Sequence, residues 1–228
     1  MASGGATQAV PGVLMQPLEE VKPYLRGVCA AEVNATTSAK TFVRQDYAEA
    51  CEHGVNHAIN VYFQQWHLCC SMSAYFSNDT VALPGCAKFF ATAAERAKAD
   101  GLQFLDYQNM RGGKVVLASL HQPKSEYYTE PEGDALAGFQ LALAMNKMTF
   151  NKLRELHKCA RENEDPELQD FVNSKLHEAA LATREMGSYV SELERVGTVG
   201  LSQFQFDRRV EKRHGLTLSA TVKLPVTM

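Results

Sequence analysis

Long apolar runs and an excess of charge of one sign are both missing from this 228-residue sequence. No stretch approaches the roughly 18 to 20 consecutive apolar residues that a membrane-spanning helix needs. The formal net charge of −3 is too small to favour nucleic acid or an anionic membrane as a partner. A hydrophobic share of 45% is ordinary for a globular chain. We therefore expect a globular protein with neither nucleic acid nor membrane among its partners.

Cysteine motifs are lacking as well. The six cysteines lie at positions 29, 51, 69, 70, 86 and 159 and form no CxxC pair. This spacing argues against a zinc site and against a thioredoxin-type redox motif. The simplest interpretation is a set of reduced, buried thiols.

The first residues do not show the basic segment and apolar core of a secretory signal. They are rich in Ala, Ser and Thr, as organelle transit peptides are. However, Glu19, Glu20 and Glu32 count against such a peptide, because transit peptides are poor in acids. We therefore predict a cytoplasmic protein, with organelle targeting left open.

From Asp46 onward, apolar residues recur at spacings of three and four, which predicts long amphipathic helices. The first runs from Asp46 to about Phe76. The second opens at Pro84, a residue that the first turn of a helix tolerates, and ends at Gly112-Gly113. Helices of this length favour a bundle.

Two further helices follow a connection of roughly 20 residues, from Lys114 to about Gly133. Asp134 is the predicted N-cap of the third helix, which extends to about residue 161. The fourth begins at Pro166 and ends near Arg195. A long crossover allows the third helix to run parallel to the second. Within it, residues 115–117 are predicted to pair with a symmetry mate or to pack on the bundle edge.

The two ends of the sequence differ from this helical region. Residues 1–42 are broken by proline and glycine and are predicted to form an N-terminal extension. A short fifth helix is predicted from Leu201 to Val210. Residues 212–228 are predicted to be a C-terminal extension, in which 217–225 look extended rather than helical.

Several segments of residues 43–211 then resemble animal ferritins. The first-helix segments VRQDY and SMSAYF, the second-helix ending QNMRGG and the junction segments ELHK and LQDF carry the likeness; they lie at 43–47, 71–76, 108–113, 155–158 and 168–171. The resemblance implies an all-α, ferritin-like four-helix bundle with a long crossover between helices 2 and 3 and a short fifth helix.

The same resemblance implies a di-iron ferroxidase centre of inward-facing carboxylates and a histidine, the hard ligands that such a site needs. Carried across position by position, the family's ligands fall on Tyr62, Cys69, Ala97, Asp100, Asn146 and Ala179. Asp100 is the one position of the six with a carboxylate, and Lys98 beside it is expected to oppose cation binding. We therefore predict that the ferroxidase positions are lost and that the chain is not an enzyme.

Other iron-handling features of the family are expected to be weak. Glu95 and Asp100 are the remaining acids where light-type subunits carry a mineral-nucleating glutamate cluster. Asp170 matches one of two acids that line the three-fold channel, and the other falls on Asn173. These residues are weak candidates for nucleation and for the channel.

The fifth helix builds the family's four-fold contact, which is usually apolar. Gln205 and Arg209 stand there in place of a leucine and a histidine. Four arginines around an axis would repel one another, which favours mixed shells. The alternative is an Arg209 turned to solvent beside Asp207 or Glu211.

Three functions follow as hypotheses. The first is a non-catalytic, light-chain-like subunit of an iron-storage shell, a hetero-oligomeric 24-mer in which other ferritin subunits are ferroxidase-active and iron is the stored mineral. The second is a ferritin-like bundle reused as a structural or interaction subunit without iron chemistry. The third is an enzyme with a relocated metal site, which is disfavoured because His57 and His67 would face roughly 80° apart on one helix.

Overall fold

The computed structural model describes residues 43–197 and 200–221, with side chains as far as His214. The predicted N-terminal extension at 1–42 lies outside these residues and stays a prediction. In the described part of the chain every regular element is a helix, as predicted. The helices are α1 (Glu49–Ser77), α2 (Pro84–Met110), α3 (Gly133–Glu162), α4 (Pro166–Val196) and α5 (Leu201–Thr221).

Four of these helices form the bundle, because each carries a broad apolar face that must be buried against another helix. α1 packs along α2, α3 packs along α4, and α1 also contacts α3. α5 lies mainly against α2. Among the described helices, none is both long and apolar enough to cross a membrane.

Most helix ends lie where proline and capping residues in the sequence predicted them. Pro84 and Pro166 occupy first turns, and the Asp165 side chain accepts a hydrogen bond of 3.0 Å from the backbone N–H of Leu168. The prediction of Asp134 as an N-cap is wrong. α3 begins one residue earlier, and the Asp134 carboxylate instead accepts a hydrogen bond from the Tyr75 hydroxyl.

Side chains of α1 hold the long crossover in place by hydrogen bonds to its backbone, as a neighbouring strand would do in a sheet. Asn56 donates to the carbonyl of Lys114 and accepts from the N–H of Val116, both at 2.9 Å. Gln64 donates to the carbonyl of His121 at 2.9 Å and accepts from its N–H at 2.7 Å. These bonds satisfy backbone groups that a loop would otherwise leave to water, so the segment packs on the bundle edge.

An aromatic cluster fills the end of the bundle next to α5. Phe139 is fully buried, and its ring centroid lies 5.2 to 5.4 Å from those of Phe89, Phe90, Tyr189 and Phe206. Edge-on and tilted pairs at such distances add to the burial of apolar area. The cluster joins α2, α3, α4 and α5 into one core, and Phe76 of α1 stacks on Phe90 with ring centroids 5.4 Å apart.

α5 is longer than predicted. It continues to Thr221, so the expected extended structure is wrong for 217–221, while 222–225 lie outside the described residues. Phe206, Val210 and His214, spaced four apart on one face, are all buried. Their packing against the bundle outweighs the weak strand propensity of the sequence.

Arg209 stays 57% exposed, as the second alternative predicted, but its partner is neither Asp207 nor Glu211. Its guanidinium forms an ion pair with Glu192 of α4. Asp207 is buried and accepts a hydrogen bond of 2.8 Å from the N–H of Cys86 in the first turn of α2. Glu211 pairs with Arg208 at 3.0 Å. Arg209 is thus partly neutralised within its own subunit.

Candidate functional site

A cavity of about 500 Å³ lies inside the four-helix bundle. Three groups of residues line it: an aliphatic and thioether surface, a set of amides and hydroxyls, and several charged side chains. All six positions assigned from the sequence border this one cavity: Tyr62, Cys69, Ala97, Asp100, Asn146 and Ala179. Side chains from four different helices therefore meet here, as a buried site in a bundle requires.

Most of the six side chains are neutral. Burial raises the pKa of Tyr62, with a further contribution from the charges of Asp100 and Glu178, so the phenol keeps its proton. Burial also raises the pKa of the Cys69 thiol to about 12, and a thiol is a far poorer metal ligand than a thiolate. Ala97 and Ala179 offer no donor atom.

An amide and hydroxyl network occupies the α3 side of the cavity. Gln65 donates to the side-chain oxygen of Asn146 at 2.8 Å and accepts from the Thr149 hydroxyl at 3.1 Å. Asn146 and Thr149 are both buried. The position where the family carries a glutamate is therefore part of a neutral hydrogen-bonded network.

The charge at the centre of the cavity comes from a lysine. Lys175 of α4 is 4% exposed, and its Nζ donates to Asp100 at 2.6 Å and to Glu178 at 2.9 Å. Burial disfavours its charged form, but these hydrogen bonds outweigh burial and raise the pKa of Lys175. Burial raises the pKa of Asp100, although the bond from Lys175 works against that rise.

The lysine that opposes a cation at Asp100 is Lys175, so the prediction that Lys98 has this role is wrong. Lys98 is exposed and lies 3.9 Å from Glu95, on the outside of α2. The signal for Lys175 was present in the sequence, because the spacing Val172, Lys175, Ala179 places it on the inward stripe of α4. An ammonium group bonded to Asp100 fills the place of a bound cation and repels another.

The other predicted iron residues do not join this site. Glu95 and Asp170 are both exposed, and neither borders the cavity. In the part of the chain that the structure describes, no group of three or more His, Cys, Asp or Glu side chains is arranged to hold a metal ion. Three carboxylates border the cavity, those of Asp100, Glu178 and Glu185, and two of them are already bonded to the ammonium group of Lys175. This donor set does not fit a pair of iron ions.

Comparison with known proteins decides the family. A family model described as a ferritin-like domain matches residues 52–196, more than half of the chain.

The chain belongs to the ferritin family.

One relative is Ferritin-3, chloroplastic, of Glycine max, which is 38% identical over 90% of this chain and 78% of that protein. Another is Ferritin-2, chloroplastic, of Nicotiana tabacum, which is 39% identical over 91% of this chain and 78% of that protein. The crystal structure of a ferritin from the green alga Ulva pertusa is similar with a TM-score of 0.74 and 33% identity. That match covers 87% of this chain and all of the algal one. The four-helix bundle with a fifth helix is thus confirmed as a ferritin fold.

The relatives correct three predictions. They are plant and algal ferritins, so they give no support to an animal-type, light-chain-like assignment. The prediction that the chain is not an enzyme is wrong, because the relatives place it among ferritins, the family that carries an iron-oxidising centre. The substituted side chains at six positions concern one cavity and do not decide the activity of the subunit.

The cytoplasmic prediction is also wrong, since these relatives are chloroplastic. A few acidic residues were too weak a signal against a transit peptide.

Proposed function

We propose that this iron-storage ferritin subunit works in a mixed shell together with other ferritin subunits. The observation that carries the proposal is that the ferritin fold is kept while the side chains inside the bundle differ from the family's iron ligands. The fold is similar to that of the algal ferritin over the whole length of the algal chain, and the five helices and the long crossover are present. By contrast, the ammonium group of Lys175 is bonded to Asp100 inside the bundle.

A mixed shell reconciles these two features. Neighbouring ferritin subunits place their own iron-oxidising centres on the same particle, so storage of the mineral does not depend on the cavity of this chain. The internal ion pair between Arg209 and Glu192 also supports assembly, because it reduces the positive charge that each copy brings to a contact between fifth helices.

Co-expression with a differently tagged chloroplastic ferritin subunit tests this proposal. We expect affinity capture through one tag to recover both chains in a single particle, whose mass and subunit ratio native mass spectrometry measures. Particles assembled separately and then mixed are the control, and they should not exchange chains. Recovery of two sorted homo-oligomers from the co-expression would contradict the proposal.

Iron content separates storage from a purely structural role. Mixed particles loaded with iron(II) in air should retain a mineral core in amounts similar to those of the partner ferritin alone. Mixed particles that form normally but retain no iron would instead favour the hypothesis of a bundle without iron chemistry.

We further propose that the protein acts in plastids. Its relatives carry chloroplastic names, and residues 1–42, which precede the bundle, are a segment rich in Ala and Thr in which a transit signal would lie. In plant cells, residues 1–42 fused to a fluorescent protein should direct fluorescence to plastids. A fusion of residues 43–228 is the control and should stay outside them. Cytosolic fluorescence from the first fusion would overturn this assignment.

A further inference from the structure

Two cysteines from different helices meet at the end of the bundle opposite the aromatic cluster. Cys51 in α1 and Cys159 in α3 have their Sγ atoms 3.9 Å apart. Cys51 is fully buried and Cys159 is half-buried. Neither residue borders the bundle cavity. A disulfide has a sulfur–sulfur length of about 2.05 Å, so a shift of roughly 2 Å, within the range of side-chain rotation, would join the two sulfurs.

We propose that Cys51 and Cys159 are an oxidisable pair that reduces a peroxide and, in doing so, forms a disulfide between α1 and α3. This site goes beyond the proposed storage function and does not depend on it, since both cysteines belong to one subunit. The substrate class is a hydroperoxide, with hydrogen peroxide as the simplest member.

The reaction balances without a cofactor. The Cys159 thiolate attacks one peroxide oxygen, the O–O bond breaks, and the departing hydroxide takes a proton to become water. Cys159 is then a sulfenic acid. The Cys51 sulfur attacks the Cys159 sulfur, the S–O bond breaks, and the hydroxide leaves as a second water with the proton of Cys51. The two thiols supply the two electrons that reduce the peroxide.

Exposure and hydrogen bonding assign the order of the two residues. Cys159 is the one that solvent reaches, and the side-chain amide of Asn163 donates a hydrogen bond to its Sγ at 3.7 Å. Burial, together with the nearby Cys159, raises the pKa of Cys51 to about 12, so Cys51 stays a thiol until its partner is oxidised. Cys51 is therefore the resolving residue.

Once formed, the disulfide links residues 108 positions apart in the chain, and closing so long a loop stabilises the folded bundle.

Peptide mapping of the peroxide-treated protein tests this inference. The assembled, full-length protein is incubated with hydrogen peroxide, its remaining thiols are blocked, and it is digested without reductant. We expect mass spectrometry to show the peptide with Cys51 linked to the peptide with Cys159, and dithiothreitol to reverse the link. Cys69, Cys70 and Cys86 serve as internal controls and should stay unlinked.

Single substitutions separate the two roles. In Cys51→Ala, which lacks the resolving thiol, Cys159 should accumulate as sulfinic acid under the same treatment. In Cys159→Ala, Cys51 should remain a free thiol. Wild-type protein that shows no Cys51–Cys159 link, under conditions that fully oxidise free glutathione, would overturn the inference. So would a link that joins two separate chains on a non-reducing gel.

Discussion

Lys175→Met is expected to lower the free energy of unfolding by about 2–3 kcal/mol at neutral pH, because it leaves Asp100 and Glu178 without their shared counter-charge. Loss of one partner from a fully buried ion pair costs about 3–5 kcal/mol. Here the cost is smaller, since the side chains of Asp100 and Glu178 keep 24% and 58% of their exposure. Urea unfolding of wild type and variant at matched protein concentration measures the difference.

The pH dependence of this loss has a definite sign. Burial already raises the pKa of Asp100 in the presence of Lys175, and removal of the ammonium group raises it further. A carboxyl group whose pKa is raised by folding destabilises the folded state above that pKa and not below the unfolded value. The deficit of Lys175→Met should therefore shrink as the pH falls from neutral toward the unfolded carboxyl pKa of about 3.9.

A double substitution supplies the matched control. Asp100→Leu combined with Lys175→Met removes both buried charges, and replacement of a whole ion pair by apolar groups is often close to neutral. The double variant should recover most of the lost stability. If it is as unstable as Lys175→Met alone, Asp100 and Lys175 do not stabilise each other inside the bundle.

Gly85→Ala is expected to release α5 from the bundle. A Cβ at residue 85 would overlap the backbone carbonyl oxygen of Asp207 and lie 2.9 Å from its Oδ1, so one helix must move. Release of α5 exposes Phe206 and Val210, which are 2% and 0% exposed, at a cost of about 3–5 kcal/mol. Hydrogen exchange of the α5 backbone amides should accelerate strongly.

Gly187→Ala is the matched control for this prediction. Gly187 also lies within a helix, but a Cβ there meets no atom within 4 Å. Alanine in such a position stabilises a helix by about 0.5–1 kcal/mol relative to glycine. The two substitutions should therefore change stability in opposite directions. Unaltered protection of α5 in Gly85→Ala would show that the close approach to Asp207 does not position this helix.

The C-terminal end of α5 was not predicted from the sequence, because contacts with other helices extend this helix. Periodicity located its start at Leu201, but the sequence after Val210 has the composition of an extended tail. The helix continues because α2 and α4 already present a surface for His214, whose Nε2 lies 3.0 Å from the Tyr189 hydroxyl. A contact between residues 25 apart leaves no local signal.

The stripe predicted for α1 illustrates a smaller error of the same kind. The spacings of three and four from Asp46 onward place Phe63, Trp66 and Cys70 on the predicted apolar face. All three are half-buried, whereas Tyr62 and Cys69 are buried. Spacings of three and four define a broad helical face but not its midline. The packing of α2 and α3 against α1 sets that midline and thereby turns Tyr62 and Cys69 toward the cavity.

The sequence by itself determined the number of bundle helices, the long crossover and the ferritin resemblance, and that resemblance implied the six positions that border one cavity. Each rests on signals within a single segment: apolar periodicity, proline and glycine at helix ends, and short collinear motifs. Only the tertiary structure decided that Lys175 pairs with Asp100, 75 residues away, and that Cys51 meets Cys159, 108 residues away. The physical reason is that both contacts depend on the relative register of packed helices. Interdigitated side chains set that register, and no single helix encodes it.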